Sequence, residues 1–290
     1  MKSLRYLQMD VFADRPGAGN PLGAVLDGDR FDPARMQAFA AWTNLSETIF
    51  LLPPTQPGAD YRVRIFTPCS ELPFAGHPSV GAAWAVLDAG LVPAGRTTLV
   101  QECAAGLLPV RVEADGDARR THVRAPRARP VDEAVPAELL VAALSGMKRG
   151  GLEPALWCNG PRWWLVALAD AAAVRTLAPD LPAIAALCRA TGATGLAVHA
   201  PESRDGHDLV VRAFCPSDGI PEDPVTGSAQ AAIAAQLAAA GRLPGHGGRY
   251  VGSQGRELGR DGRVSVEVDA DGEVWIGGAT QPVIRGTVDW

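Results

Sequence analysis

Four residues of the 290-residue chain have the types and settings that proton chemistry needs: Glu47, His77, Asp223 and Ser228. Glu47 is the lone acid in "TNLSETIF", between Leu45 and Ile49. An apolar setting desolvates a carboxylate and raises its pKa toward the range useful for proton transfer. A solvent-exposed acid at a helix-to-strand turn fits the same spacing. His77, in "PFAGHPSVGAAWAVLDAG", falls at the start of a helical run. There the helix dipole disfavours imidazolium and leaves a neutral ring able to donate or accept one hydrogen bond; a capping or packing histidine would occupy the same place. Asp223, in "GIPEDPVTGSAQ", precedes a proline as turn aspartates do. The alternative is an acid that orients His77 or a substrate amine. Ser228 reads as the N-cap of the next helix, with a hydroxyl that could also touch a ligand.

The elements that must position these residues repeat. "YRVRIF" and "LVVRAF" have strand character, and "HPSVGAAWAVLDAG" and "GSAQAAIAAQLAAAG" read as helices closed by glycine. Arg64 and Arg212, Phe66 and Phe214, Pro68 and Pro216, and Thr43 and Thr191 are each 148 positions apart. A three-residue insertion then changes the spacing to 151, which pairs Gly76 with Gly227, His77 with Ser228 and Gly90 with Gly241. Asp223 is read as part of that insertion, without a first-half partner, and Glu47 is matched by Gly195. One βα module used twice predicts two lobes, residues 1–118 and 119–290, whose last strand could return to the first lobe. They are expected to face each other about a pseudo-twofold axis, with a small-molecule site in the cleft. Each lobe would bring a helix start to it, Gly76-His77 and Gly227-Ser228, where unpaired N–H groups and the positive dipole end favour an anion. Pro78 fits the first helical position. Two such ends aimed at one point predict a carboxylate clamp.

Composition narrows the alternatives. Hydrophobic residues at 47% and charged residues at 20% suit a globular chain. A net charge of −5 and the absence of a basic cluster interleaved with aromatics argue against nucleic acid; "RRTHVRAPRAR" reads as a half-exposed strand and loop. The first twenty residues lack the apolar core of a signal peptide, and no window holds the roughly 18 apolar residues of a membrane span, so a cytoplasmic protein is expected. Five scattered cysteines without C-x-x-C spacing argue against disulfides or a zinc site. "GAGNPLG" lacks the spacing of a nucleotide loop, and "TGSA" lacks the G-x-S-x-G elbow of a serine hydrolase. No zinc site and no nucleotide cofactor are expected from these patterns. Phe12, Phe74 and Trp42 are candidates to line the pocket or to fill the core.

The segments "DVFADRPGAGNPLGAVL", "NLSETIF", "RIFTPCSELPFAGHPSVGAA", "GIPEDPVTGSAQ" and "GRVSVEVDADGEVWIGGATQPVIRGTV" together resemble the phenazine-biosynthesis PhzF-like family, along nearly the whole chain. The resemblance implies a diaminopimelate-epimerase-like α/β (α+β) fold: two pseudo-symmetric lobes, each a mixed β-sheet curled around a central α-helix, usually in a homodimer. It places the family's catalytic glutamate on Glu47, histidine on His77, aspartate on Asp223 and serine on Ser228. The implied reaction is the isomerisation of a dihydro-hydroxyanthranilate, a small ring carboxylate in which a glutamate moves a proton between carbons, without metal or organic cofactor. Racemases of the same fold carry two thiols just before the paired glycines. Here those positions are Ala75 and Thr226, which disfavours that chemistry. An epimerase using Glu47 with a second, non-thiol base and a non-catalytic metabolite-binding protein remain the alternatives.

Overall fold

"YRVRIF" alternates buried and part-buried side chains and forms a strand, Tyr61–Phe66, the pattern of a sheet with one face on a core. Its counterpart "LVVRAF" lies in a strand buried at nearly every position, His207–Cys215. A computed structural model describes residues 3–115 and 118–290, and the chain divides into two compact units: Met1–Pro126 with Ile276–Trp290, and Arg127–Trp275.

The first unit contains β1 (Leu4–Val11), β2 (Asn20–Val25), α1 (Pro33–Thr43), β3 (Glu47–Leu52), β4 (Tyr61–Phe66), β5 (Glu71–Leu72), α2 (Gly76–Asp88), β6 (Thr98–Cys103), β7 (Gly106–Asp115) and β8 (Ala118–Arg124). The second contains β9 (Arg129–Pro130), α3 (Ala137–Ala143), β10 (Ala155–Cys158), β11 (Arg162–Ala167), α4 (Ala171–Arg175), α5 (Leu181–Thr191), β12 (Gly195–Arg204), β13 (His207–Cys215), β14 (Ile220–Asp223), α6 (Gly227–Ala239), β15 (Arg249–Gln254) and β16 (Gly262–Val268). The final strand, β17 (Val274–Val288), belongs from Ile276 onward to the first unit.

In the first unit β1 pairs antiparallel with β2, β2 parallel with β3, β3 antiparallel with β4, β4 parallel with β6, and β6, β7 and β8 follow antiparallel. β17 pairs with both β8 and β1, which closes the ring. Closure removes the free edges that would otherwise recruit other strands. α2 runs through the middle, with every residue from Gly76 to Val86 buried. A helix apolar all round belongs at such a centre. Outside the ring, α1 packs Met36, Phe39 and Ala40 against Phe50, Phe66 and Val25.

The second unit repeats the pattern. β10–β11 is antiparallel, β11–β12 parallel, β12–β13 antiparallel, β13–β15 parallel and β15–β16 antiparallel. α6, buried from Gly227 to Ala234, packs against β11 and β16, near opposite ends of that series. The outer helices α1 and α5 are both capped by aspartate: Asp32 accepts from the Arg35 N–H, and Asp180 from the Ala183 N–H. Both central helices close alike: Gly90 and Gly241 take φ of 64° and 63°, and the N–H groups of Leu91 and Arg242 reach back to the carbonyls of Val86 and Leu237. The duplicated module is therefore present in strand sense, caps and closures.

Several details differ from the sequence reading. The boundary drawn near residue 118 falls at the start of β8, whose pairing with β7 carries the first unit on to Pro126. Pro78 is the third residue of α2, still within the first turn, where no intrahelical partner is lost. Thr226, with extended backbone, holds the N-cap position assigned to Ser228, which is the second residue of α6. Asp223 is not an extra residue. It pairs with Ala213 as Leu72 pairs with Ile65, so Leu72 is its first-unit counterpart. The insertion lies before it, around the short 3-10 turn Pro216–Asp218. Phe12 and Phe74 are fully buried core residues, whereas Trp42 is 70% exposed beside Trp290. Among the described residues, no helix is long and apolar enough to cross a membrane, and no group of three or more His, Cys, Asp or Glu could hold a metal ion. The five cysteines are free thiols, three of them buried.

Candidate active site

Each unit carries half of the predicted residue set at the start of its central helix. In the first, Glu47 opens β3 in parallel register with Leu22, and His77 is the second residue of α2. The fold brings them together: His77 Nε2 lies 3.5 Å from Glu47 Oε2. The His77 side chain is 3% exposed and that of Glu47 16%. The contact is not an ion pair, because burial pushes the His77 pKa from 6.5 down to about 3. The ring also bonds the backbone of Pro21, which opposes that shift. Proline's backbone offers only a carbonyl, so the ring is the donor there. Nε2 has no hydrogen-bond partner of its own, which assigns the proton to Nδ1 and leaves the Nε2 lone pair facing Glu47. The sequence reading ascribed a neutral ring to the helix dipole, whereas burial is the largest cause of the shift.

In the second unit, Arg212 grips Glu222 with two hydrogen bonds of 2.9 and 2.8 Å and pins β14 to β13, as Arg64 pins Glu71 with two of 2.7 Å in the first. Asp223 follows directly. Its Oδ2 accepts from the Thr226 hydroxyl at 2.5 Å. Ser228 Oγ accepts from the indole N–H of Trp163 at 3.1 Å, and its carbonyl accepts from the Asn159 amide at 2.9 Å. The Ser228 oxygen receives this hydrogen bond through a lone pair, and its own proton stays available to donate. Neither α2 nor α6 has a side-chain cap, unlike the aspartate-capped outer helices.

Trp163 escaped the sequence reading, and it accounts for Gly195. The two pair in parallel register as Leu22 pairs with Glu47. A Cβ on Gly195 would meet the Phe214 carbonyl oxygen at 2.4 Å, the Trp163 ring at 2.7 Å and the Cys215 sulfur at 2.9 Å. The indole thus fills the space that a second glutamate would need. Asn159 and Gln254 escaped as well; a signal lay in the broken repeat, since Leu22 and Trp163 hold the same register position with very different sizes.

Depressed histidine pKa values set an acid limit on stability. Burial also lowers the pKa of His199 to about 4. Below 6.5 the unfolded chain takes up protons that the folded chain refuses, so stability is complete above that pH and falls toward the folded values. Between pH 7 and 4.5 each histidine is expected to remove about 2–3 kcal/mol. Urea midpoints across this range measure the loss, and His77→Gln flattens part of the slope.

Two mixed sheets of matching sense, each wrapped on a central helix, define the diaminopimelate-epimerase-like class of fold, and the first of them places Glu47 beside the neutral ring of His77. The chain belongs to the phenazine biosynthesis-like family, whose model matches residues 9–286, and it is an isomerase. It is 36% identical over 247 residues to the trans-2,3-dihydro-3-hydroxyanthranilate isomerase of Pseudomonas aeruginosa, covering 83% of this chain and 82% of the relative. It is 37% identical over 279 residues to an uncharacterized isomerase of Deinococcus radiodurans, covering 92% and 88%. The crystal structure of a PhzF-family phenazine biosynthesis protein from Bacillus anthracis superimposes with a TM-score of 0.83 at 25% identity, over the whole of both chains.

Proposed function

We propose that this isomerase works without a cofactor, moving a proton between two carbons of a small ring carboxylate of the dihydro-hydroxyanthranilate type, with Glu47 as its one base. The observation that supports this most is the asymmetry of the repeat: Glu47 stands beside the His77 lone pair, while Gly195, its counterpart, is overlaid by the Trp163 indole. A single carboxyl group suits removal and return of one proton better than opposed two-base chemistry.

In this reading the Glu47 carboxylate takes a proton from an sp3 ring carbon, and the C–H electron pair spreads through the conjugated system onto the substrate's carboxylate. The uncapped N–H groups at Gly76-His77 and Gly227-Ser228, with the Ser228 hydroxyl, stabilise that charge. The new Glu47 O–H donates to His77 Nε2 and, on a side chain 16% exposed, exchanges with solvent before the carboxyl group protonates the carbon at the far end of the system. Asp223 binds the substrate's amino or hydroxyl group. A base of this kind supplies about 10²–10⁴-fold; orientation and electrostatics must supply the rest. The same reading carries a cytoplasmic homodimer of secondary metabolism, without nucleic-acid or membrane partners.

Proton NMR in D₂O with trans-2,3-dihydro-3-hydroxyanthranilate and a panel of cyclic amino acids tests the reaction class. Double-bond migration with deuterium at the new carbon is expected. Exchange at a stereocentre without migration would indicate the epimerase instead, and tight binding without any exchange the binding protein.

A further inference from the structure

We propose that Gln254 and Thr226 are positioning residues that fix the Asp223 carboxylate, an inference that rests on Asp223 acting on the substrate. Gln254 closes β15 and is 1% exposed; Thr226, Asp223 and Gln230 are 6%, 8% and 0% exposed. The Thr226 backbone N–H donates to Gln254 Oε1 at 3.0 Å. A backbone N–H can only donate, so this bond settles which end of the Gln254 amide is oxygen. The opposite end, Nε2, then donates both to the Asp223 carbonyl at 3.0 Å and to Thr226 Oγ1 at 2.9 Å. Gln230 Nε2 adds a second donor to Gln254 Oε1 at 3.3 Å.

Every direction in the chain follows. Thr226 Oγ1 receives a hydrogen bond from Gln254, so its own proton goes to Asp223 Oδ2, 2.5 Å away. Asp223 is thereby held as an acceptor, its backbone anchored by Gln254 and its carboxylate plane set by Thr226. A charge-assisted O–H···O⁻ bond of this length is among the stronger ones.

The fold itself does not ask for this network. At the matching places in the first unit stand Leu72 for Asp223, Ala75 for Thr226, Ser79 for Gln230 and Cys103 for Gln254. None of that set can reproduce the chain of bonds, yet the first unit builds the same strands and central helix. Burying these polar groups, with Gln230 Oε1 left without a partner among the described residues, costs more than an apolar plug, a cost that a use for the geometry they impose would explain.

A double-mutant cycle tests the inference, read as turnover of trans-2,3-dihydro-3-hydroxyanthranilate and as the Kd of the stable ring acid 3-hydroxyanthranilate. Thr226→Val is expected to lower kcat/KM and affinity about tenfold to a hundredfold, the worth of a hydrogen bond to a charged group. Thr226→Ser restores both to within about threefold, since it keeps the hydroxyl. In an Asp223→Asn background the Thr226→Val change costs less than about twofold, because the group it acts through is already altered. Gln254→Met, nearly isosteric, repeats the effect should Thr226→Val fold poorly. Losses that are equal with and without Asp223 would overturn the inference and mark the network as structural, as would wild-type behaviour of folded Thr226→Val beside a crippled Asp223→Asn. Wild-type behaviour of Asp223→Asn would instead overturn the reading of Asp223, and the inference with it.

Discussion

Glu47→Gln is expected to lower turnover by about 10³-fold while leaving ligand affinity within a few-fold of wild type. Glutamine keeps the size and hydrogen-bonding reach of the side chain, and its amide can still donate to His77 Nε2, 3.5 Å from the present carboxyl oxygen. It cannot take a proton from carbon. With His77 Nδ1 committed to the Pro21 carbonyl and the ring neutral down to about pH 3, the ring is poorly placed to substitute as a base. Glutamine is nearly isosteric with glutamate, so the variant is expected to fold, and steady-state kinetics beside calorimetric binding separates lost chemistry from lost affinity. Undiminished turnover would move the base elsewhere.

Gly195→Ala is expected to cost about 3 kcal/mol of stability, at the upper end of ordinary overpacking. The obstruction is not a flexible side-chain tip: the added Cβ would sit 2.4 Å from the Phe214 carbonyl oxygen, on the neighbouring strand, and 2.7 Å from the Trp163 ring. Either β12 parts from β13, or the indole swings out and releases Ser228. The second outcome lowers activity along with stability, so urea midpoints and KM for the carboxylate substrate change together. A substitution with neither effect would show that the Trp163 position is not filled as described.

The architecture was legible because the repeat was. The spacings of 148 and 151 fixed which strands and helices correspond, and the arginines at 64 and 212 grip Glu71 and Glu222 alike. Glu47 and His77 stood out as departures from that repeat, and they meet. What the chain did not disclose was how the second unit trades sizes across neighbouring elements. Glu47 beside Leu22 becomes Gly195 beside Trp163. Gln101 bonded to Ser79 becomes Gly252, whose absent Cβ would lie 2.4 Å from Gln230 Oε1. Such swaps are set by packing between residues far apart in sequence, and a linear alignment sees only two unrelated mismatches. Asp223 was misplaced for a similar reason: three extra residues in the Pro216 turn shift the numbering, and only the pairing of Ala213 with Asp223 shows where the shift ends. Ser228 was taken for the cap because two hydroxyls flank Gly227 and only backbone geometry chooses between them.

The central claim is that one carboxyl group, Glu47, both removes a proton from the ring and delivers one to it. A single base reaches only the face of the ring on which it stands. The direct measurement is the stereochemistry of turnover in D₂O, with NMR couplings used to locate the deuterium at the new C–H bond of the product of trans-2,3-dihydro-3-hydroxyanthranilate. The account predicts delivery to the same face from which the hydrogen departs. Delivery to the opposite face would require a second base and would contradict it.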